Sequence, residues 1–246
     1  NLSCCTMTCY FAAKQPDRFF NCGIAEANMV GVAAGMATTG CIPFVNSFAM
    51  FMAGRCFEQI RNSVAYPHLN VKLIGTHAGL SVGEDGATHQ CLEDIGLMRT
   101  IPGMTIMCPC DANETREAVL ATVAHEGPVY LRLGRKAVPD VTGNIQGYTF
   151  VLGKGATLIN GNDVTLIATG IMVHLALKAS VALSKLGISA RVVDMHTIKP
   201  LDKKIIKECA AETGAIVTAE EHNLQGGLGD AVASVLVTNK LVPMER

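Results

Sequence analysis

Four ionisable side chains lie on or beside one glycine-rich stretch between Thr76 and Thr88: His77, Glu84, Asp85 and His89. Two imidazoles and two carboxylates on one loop could bind a metal ion, or could bind a polyhydroxylated substrate and exchange protons with it. A solvated polar loop is the third reading. The stretch has neither helical nor strand periodicity, and loops of this length in compact chains are usually functional.

A further carboxylate, Glu26, lies in the first turn of a helix predicted to begin near Ala25, after a predicted strand, Phe19–Cys22, and a glycine. There it could simply complement the helix dipole, or it could bind a ligand at the carboxyl edge of a sheet. Small side chains along the same helix predict a close approach to another layer. They are Gly31, Ala33, Ala34, Gly35 and Ala37.

Aromatic and basic residues follow other predicted strands. Phe48 and Phe51 are three positions apart and would ordinarily belong to the core, but next to Glu26 they could form an apolar wall that raises the pKa of its carboxyl group. Arg132 and Arg135 end a predicted strand. Arginines at that point could bind an anion or form an interface salt bridge.

Composition excludes several classes of protein. The net charge is -1 and the basic residues are scattered, so we expect no nucleic-acid partner. No apolar run is long enough to span a membrane, so we expect no membrane partner. The ten cysteines lack disulfide or zinc spacing and predict reduced thiols in the cytoplasm. The sequence lacks an initial Met and stops at Arg246, so we expect a fragment.

Strand-like and helix-like segments alternate along the chain and predict a two-domain α/β protein, with a mainly parallel sheet and helices on both faces. The first domain is predicted at residues 1–137 and a smaller α/β domain at 152–246. Pro139, Gly143 and Gly147 mark a polar linker over 138–151. The glycines Gly226–Gly229 resemble a phosphate-binding turn, but such a turn alone is a weak signal.

Several segments together resemble the transketolase family, and most closely the C-terminal subunit of split, two-chain bacterial transketolases. The resemblance spans nearly the whole chain in the same order. It is carried by DRFFNCGIAEANMVGVAAGMA, PFVNSFAMFMAGRCFEQIRNS, HAGLSVGEDGATHQCLEDIGLMRTIPGM, and IKPLDKK with EEHNLQGGLG. It implies a pyrimidine-binding domain followed by the C-terminal domain of that family.

This resemblance also implies thiamine diphosphate as cofactor and sugar phosphates as substrates in the pentose phosphate pathway. The family's Gly-Asp-Gly…Asn signature for the metal and the diphosphate is absent from the sequence. We therefore expect an N-terminal partner subunit to hold Mg²⁺ or Ca²⁺, with no metal ligand in this chain. An α2β2 assembly, or homodimerisation of this chain, is implied as well.

Residue roles follow from the same resemblance. Glu26 would bind the pyrimidine ring and promote formation of the ylid, and Phe48 and Phe51 would pack against that ring. His77 and His89 would act in catalysis and contact the oxygens of the sugar. The residues expected to bind substrate are His77, Asp85, His89 and Arg135.

Two departures and three alternatives accompany this hypothesis. Ala53 and Gly54 stand where many members carry a third aromatic residue, and Asn1–Thr6 differs from the usual start, so no role is assigned there. The alternatives are a 1-deoxyxylulose-5-phosphate synthase, the β chain of a 2-oxo acid dehydrogenase, and a non-catalytic paralogue that only binds the partner. The sugar donor and acceptor stay open.

Overall fold

The computed structural model describes residues 3–246; Asn1 and Leu2, with which the predicted first domain begins, lie outside the described residues. In the N-terminal half, strands alternate with helices. The helices are α1 (Cys9–Lys14), α2 (Glu26–Ala37), α3, α4 (Asp94–Thr100) and α5 (Ala112–Ala124). Helix α3 is one helical segment with π-helical turns at Met50–Arg55 and Ile60–Ala65 and an α-helical turn at Phe57–Gln59. The strands are β1 (Phe44–Phe48), β2 (Lys72–Thr76), β3 (Thr105–Met107) and β4 (Val129–Arg132).

The C-terminal half repeats the alternation. Its helices are α6 (Met172–Ser184), α7 (Lys203–Glu212) and α8 (Leu228–Leu236). Its strands are β5 (Ala156–Ile159), β6 (Val164–Ala168), β7 (Ala190–Asp194), β8 (Thr197–Lys199), β9 (Ile216–Ala219) and β10 (Met244–Glu245). Short 3-10 turns lie at Pro16–Arg18 and Thr142–Asn144.

The N-terminal half contributes four of the five strands of the first sheet, and the C-terminal half contributes all five strands of the second. The first has the order β1-β2-β4-β3-β8 and the second has the order β10-β9-β6-β7-β5. All pairs are parallel except β3 with β8 and β5 with β7, which are antiparallel. The predicted α/β class with mainly parallel sheets is confirmed.

Strand β8 belongs by sequence to the C-terminal half but pairs with β3 at the edge of the first sheet. The backbone N–H of Cys108, just after β3, also donates to the carbonyl of His196 at 2.8 Å. The two halves are therefore joined by a shared sheet as well as by the linker.

Apolar side chains cover both faces of the first sheet. One cluster packs β2 and β3 against α2, α3 and α4, and includes Val30, Ile60, Leu73 and Ile95, all fully buried. The second cluster covers the opposite face. It includes Ala118 of α5 and Phe150 from the segment that precedes β5. Burial on both faces agrees with β2 and β4, in which every residue is buried.

Side-chain caps fix the ends of two helices. Asp111 accepts a hydrogen bond from the backbone N–H of Glu114 at 2.8 Å, and the Glu114 carboxylate accepts one from the N–H of Cys110 at 2.6 Å. Asp202 likewise accepts from the N–H groups of Lys204 and Ile205 at the start of α7. Such reciprocal caps satisfy N–H groups that have no partner inside the helix.

Two local predictions are wrong. Phe19–Cys22 forms no strand, because the Asn21 side chain accepts the N–H of Gly23 at 3.0 Å and makes a local turn in place of a ladder. The predicted close approach at Gly31 and Gly35 is also absent within this chain, since a Cβ at either would meet no described atom within 4 Å. Ala33 and Ala34 do pack into the core.

Residues 3–246 include all ten cysteines of the chain. All ten cysteines are free thiols, and five of them are buried. No helix in that range has the length and apolar character needed to cross a bilayer.

Candidate active site

Glu26 is the first residue of α2 and is almost completely buried, with 1% of its surface exposed. Arg55 donates from Nη1 to its Oε2 at 2.7 Å, and the Ser47 hydroxyl lies 3.5 Å from its Oε1. A buried carboxylate must be paired or hydrogen-bonded to remain charged. Here the guanidinium of Arg55, on α3, forms an ion pair with the carboxylate.

The guanidinium of Arg55 also lies over the ring of Phe51, with its central carbon 4.6 Å from the ring centroid. The guanidinium stacks on the aromatic ring through its flat face and donates to the carboxylate through its N–H edge. The Arg55 side chain is 50% exposed, so this pair opens to the molecular surface. The π-helical turn of α3 presents Phe51 and Arg55 together, and such turns are frequent at functional sites.

The glycine-rich loop folds back onto the same aromatic pair. The His77 ring stacks on Phe48 with centroids 4.0 Å apart, and the His89 ring meets the edge of Phe51 at 5.2 Å and of Phe48 at 6.0 Å. Phe48 and Phe51 themselves stack at 6.0 Å. Phe48, Phe51, His77 and His89 therefore form one aromatic cluster, although up to 41 positions separate them in sequence.

His77 is held in a constrained environment. Its backbone adopts φ 58°, a left-handed conformation that is uncommon for residues other than glycine, and strain of this kind concentrates at functional sites. Its Nδ1 lies 3.1 Å from the Thr76 hydroxyl. Burial lowers the pKa of His77, as do the charges of Arg135 and His89, while Asp85 acts in the opposite direction. The imidazole is therefore neutral near pH 7 and able to accept a proton.

Arg135 reaches the loop from the segment after β4. Its guanidinium pairs with Glu84 at 3.0 Å and with Asp85 at 3.3 Å, and it donates to the carbonyl of Val82. The side chain is 35% exposed. Arg135 therefore combines partial exposure with positive charge beside His77.

Arg132, the other arginine of the predicted clamp, has a structural role. It is buried, pairs with Asp94 at 2.8 Å and donates to the carbonyl of Glu221 at 2.7 Å. The Glu221 carboxylate in turn accepts from the N–H and hydroxyl of Ser81, both at 3.1 Å. The C-terminal half thus supports the loop from below, and the anion-clamp reading of Arg132 is wrong.

The glycine turn at Gly226–Gly229 is not open to a phosphate. The Glu220 carboxylate accepts from the N–H groups of Leu228 and Gly229 at 2.7 and 2.8 Å, which fills the start of α8. A Cβ on Gly226 would lie 2.9 Å from the Cα of Gly96. These glycines allow close backbone packing between the two halves.

All seven predicted site residues therefore come together in two connected groups. One runs from Glu26 through Arg55 to the aromatic cluster, and the other is the Asp85–Arg135 pair, whose charges act on His77. Arg55 and Ser47 were missed by sequence reasoning. The signal for Arg55 is its position four residues after Phe51, a spacing that places two side chains on the same face of a helix.

Comparison with known proteins places these features in a family. Residues 3–141 match the description "Transketolase, pyrimidine binding domain" and residues 153–246 match "Transketolase, C-terminal domain". The chain belongs to the transketolase family. It is 50% identical to a protein of Methanocaldococcus jannaschii named as a transketolase C-terminal section, across 98% of this chain and 75% of that protein.

Two further relatives are also of the split type or named as subunits. A 6-deoxy-6-sulfo-D-fructose transketolase subunit of a Clostridium species is 46% identical over 96% of this chain and 73% of its own length. A solved structure described as a split gene transketolase, inactive beta4 tetramer, is 51% identical with a TM-score of 0.91. It covers all of this chain, which spans 79% of that one. The chain is thus a split transketolase-family subunit.

Family membership implies dependence on thiamine diphosphate, and the donor set fits the pyrimidine end of that cofactor. A flat, nitrogen-rich group already stacks on Phe51 and bonds to Glu26, in the form of the Arg55 guanidinium. Among residues 3–246, the one group of three clustered metal-capable side chains is Cys110, Glu114 and Asp194. It lies at the start of α5 and the end of β7, on elements that carry none of the predicted site residues.

Proposed function

We propose that this chain, together with an N-terminal pyrophosphate-binding subunit, transfers a two-carbon ketol unit from a ketose phosphate to an aldose phosphate. The observation that carries the proposal is the buried Glu26 carboxylate, bonded to a flat cation on the face of Phe51. The same geometry suits an aminopyrimidine ring. The aromatic and histidine cluster adjoining it supplies groups for a sugar substrate.

Thiamine diphosphate, when bound, would supply the nucleophilic carbon for reaction at the ketose carbonyl. Glu26 would accept and return a proton at a ring nitrogen of the pyrimidine, a role suited to a buried carboxyl group. Phe51 and Phe48 would pack against the ring and exclude water from it. Arg55 must leave its present position for the ring to enter.

The loop would bind the sugar. His77 is neutral and buried beside His89, so the pair can accept and donate protons at hydroxyl oxygens as a carbon–carbon bond breaks. Asp85 would accept a hydrogen bond from a substrate hydroxyl. Arg135 would release Glu84 and Asp85 and bind a terminal phosphate instead. A guanidinium can bind a phosphate in a bidentate manner.

The partner assignment rests on what the described surface exposes. Ile24, two residues before Glu26, is 75% exposed, and Phe20 and Tyr10 are 61% and 67% exposed. Large exposed apolar side chains are common in protein interfaces. We propose that the N-terminal subunit covers this surface, holds the diphosphate with Mg²⁺ or Ca²⁺, and completes an α2β2 assembly. The ten free thiols support a reducing cytoplasm.

Reconstitution tests this function. The purified chain alone should show no ketol transfer, and addition of its N-terminal subunit, thiamine diphosphate and Mg²⁺ should start turnover of ketose and aldose phosphates. Robust turnover by the chain alone contradicts the split-site proposal. Turnover of pyruvate with an aldose phosphate in place of the ketose would instead identify a 1-deoxyxylulose-5-phosphate synthase.

A Glu26→Gln variant tests the residue itself. It should co-elute with the partner subunit in gel filtration yet lose ketol transfer by roughly 100-fold or more, since the amide cannot exchange the proton. Glu58→Gln is the matched control, because Glu58 is an exposed carboxylate on α3. Normal turnover by the Glu26→Gln complex contradicts the assigned role.

A further inference from the structure

A cleft of about 300 Å³ lies outside the site described above, between the two halves of the chain. Its walls are the last turn of α4, strand β8, the first residues of α7 and the outer face of α8. This volume is at the lower end of the range for small-molecule sites, and contacts between domains are a common place for them.

Three cationic side chains line this cleft: Arg99 from the N-terminal half, and Lys199 and Lys203 from the C-terminal half. Over residues 3–246, none of the three has a carboxylate oxygen within 4.0 Å. The cleft therefore concentrates positive charge without a paired anion.

The hydrogen bonds of the two more buried cations go to neutral acceptors. Lys199 donates from Nζ to the carbonyls of Arg99 at 2.9 Å and Ile101 at 2.6 Å. Arg99 donates from Nη1 to the carbonyls of Gly226 and Gly227. An ammonium has three N–H groups and a guanidinium five, so each side chain keeps donors for a further acceptor.

The buried surroundings of Lys199 and Arg99 disfavour the charged forms of both side chains. Burial lowers the pKa of Lys199, and the charge of Arg99 lowers it further. Burial also lowers the pKa of Arg99, against the opposing effect of Asp230 and Glu220. Those two carboxylates already accept backbone N–H groups at the start of α8. A bound anion would offset both the desolvation and the mutual repulsion.

The remaining lining residues include both polar and apolar side chains. Ser234 of α8, and Thr238 and Asn239 just after that helix, carry hydroxyl and amide groups, while Leu201 and Val235 contribute apolar surface. We propose that the cleft binds a small phosphate monoester, its phosphate against the three cations and its organic body against the apolar side chains. The site is separate from the proposed active site and does not depend on turnover.

Such a ligand would join α4 to the C-terminal half. Helix α4 ends near Arg99 and begins at Asp94, which holds Arg132 beneath the glycine-rich loop. A ligand that binds both halves therefore stabilises the support of that loop. The chemistry thus identifies a regulatory or stabilising site for a phosphorylated metabolite.

A charge-reversal pair tests the site. Lys203→Glu removes one cation from the cleft, and a glutamate in the first turn of α7 is compatible with the helix dipole, so the variant should fold. Lys204→Glu is the matched control, since Lys204 is the next residue, is 79% exposed and faces Glu208 at 3.7 Å. Inorganic phosphate is titrated into the full chain at constant ionic strength, with melting temperature and calorimetry as readouts.

We expect a saturable, phosphate-dependent rise in melting temperature in the unaltered chain and in Lys204→Glu. The Kd should increase about tenfold in Lys203→Glu. No saturable rise, or equal weakening in both lysine variants, would overturn the site. Glycerol 1-phosphate should bind more tightly than inorganic phosphate, and equal or weaker binding would overturn the monoester assignment.

Discussion

The guanidinium of Arg55 lies 2.7 Å from the carboxylate of Glu26 and stacks on the same aromatic ring that we assign to the cofactor. In this subunit the arginine occupies the position proposed for the aminopyrimidine. It therefore neutralises a buried carboxylate until another group takes its place. The proposed function requires this pair to separate, and its half-exposed arginine can swing into solvent.

Removal of that arginine should destabilise the isolated chain. We expect Arg55→Met to lower the free energy of unfolding by about 1–2 kcal/mol, because it leaves the buried Glu26 carboxylate without its counter-ion, an effect reduced by the exposure of Arg55. Denaturant unfolding measures this change. Glu26→Gln in the same background should recover most of the loss, and Arg61→Met serves as an exposed control. Equal losses with and without Glu26→Gln would show that the two residues are not coupled.

His77 should be replaceable without loss of the fold. Asparagine tolerates the left-handed backbone found at this position, so His77→Asn should keep the melting temperature close to that of the unaltered chain. In the reconstituted enzyme we expect kcat to fall by roughly 100-fold to 10,000-fold, the usual effect of losing a proton-transfer group. Unchanged kcat would assign His77 a packing role on Phe48.

Lys72 should make stability depend on pH in the alkaline range. It is buried, donates to the carbonyls of His125 and Gly127, and burial lowers its pKa from 10.5 to about 8. The folded state thus binds fewer protons than the unfolded state between these values, so this contribution is fully present above pH 10.5 and is lost as pH falls through about 8. Lys72→Met should remove up to about 1.4 kcal/mol per pH unit of slope between pH 8 and 10. Identical slopes in the two proteins would contradict this.

Asp194 should make the stability of the fold decrease as pH rises, which is opposite to the effect of Lys72. Burial raises its pKa well above the ordinary value, and the neighbouring Glu114 raises it further. The folded state therefore binds the extra proton, and this contribution is fully present below about pH 4 and is lost as pH rises through the folded pKa.

An amide at that position reproduces the protonated form. Asp194→Asn should therefore raise the melting temperature relative to the unaltered chain increasingly as pH rises, with Asp17→Asn as an exposed control. The measurement is thermal unfolding across a pH series. A constant difference between Asp194→Asn and the unaltered chain at every pH would show that Asp194 is ionised in the folded state.

Local sequence patterns predicted most of the strands and helices, because a short apolar run with polar neighbours already indicates a buried strand. Val164–Ala168 is a buried apolar run bounded by polar residues, and the structure has β6 at those residues. By contrast β8 has three residues and exists because of a partner far away in sequence, so no local pattern indicates it. Phe19–Cys22 has the composition of a strand, but the Asn21 side chain captures the neighbouring backbone donor.

For the site as well, motifs within one stretch of sequence were predicted, and contacts that depend on tertiary structure were not. Resemblance selected Glu26, Phe48 and His77, and their contacts agree with one cluster. Pairing between side chains was invisible, because the ion pair of Glu26 with Arg55 depends on how α2 packs against α3. The separate fates of Arg132 and Arg135, three residues apart, also depend on tertiary structure, since one side chain enters the core and the other reaches the loop.

The antiparallel pairing of β3 with β8 has a practical consequence. Cleavage or genetic division at the 138–151 segment would strip the outermost strand from the N-terminal piece and leave the amide and carbonyl row of β3 bare. Bare rows of this type recruit other chains and promote aggregation. The two halves are therefore best regarded as one inseparable folding unit, despite their separate descriptions as domains.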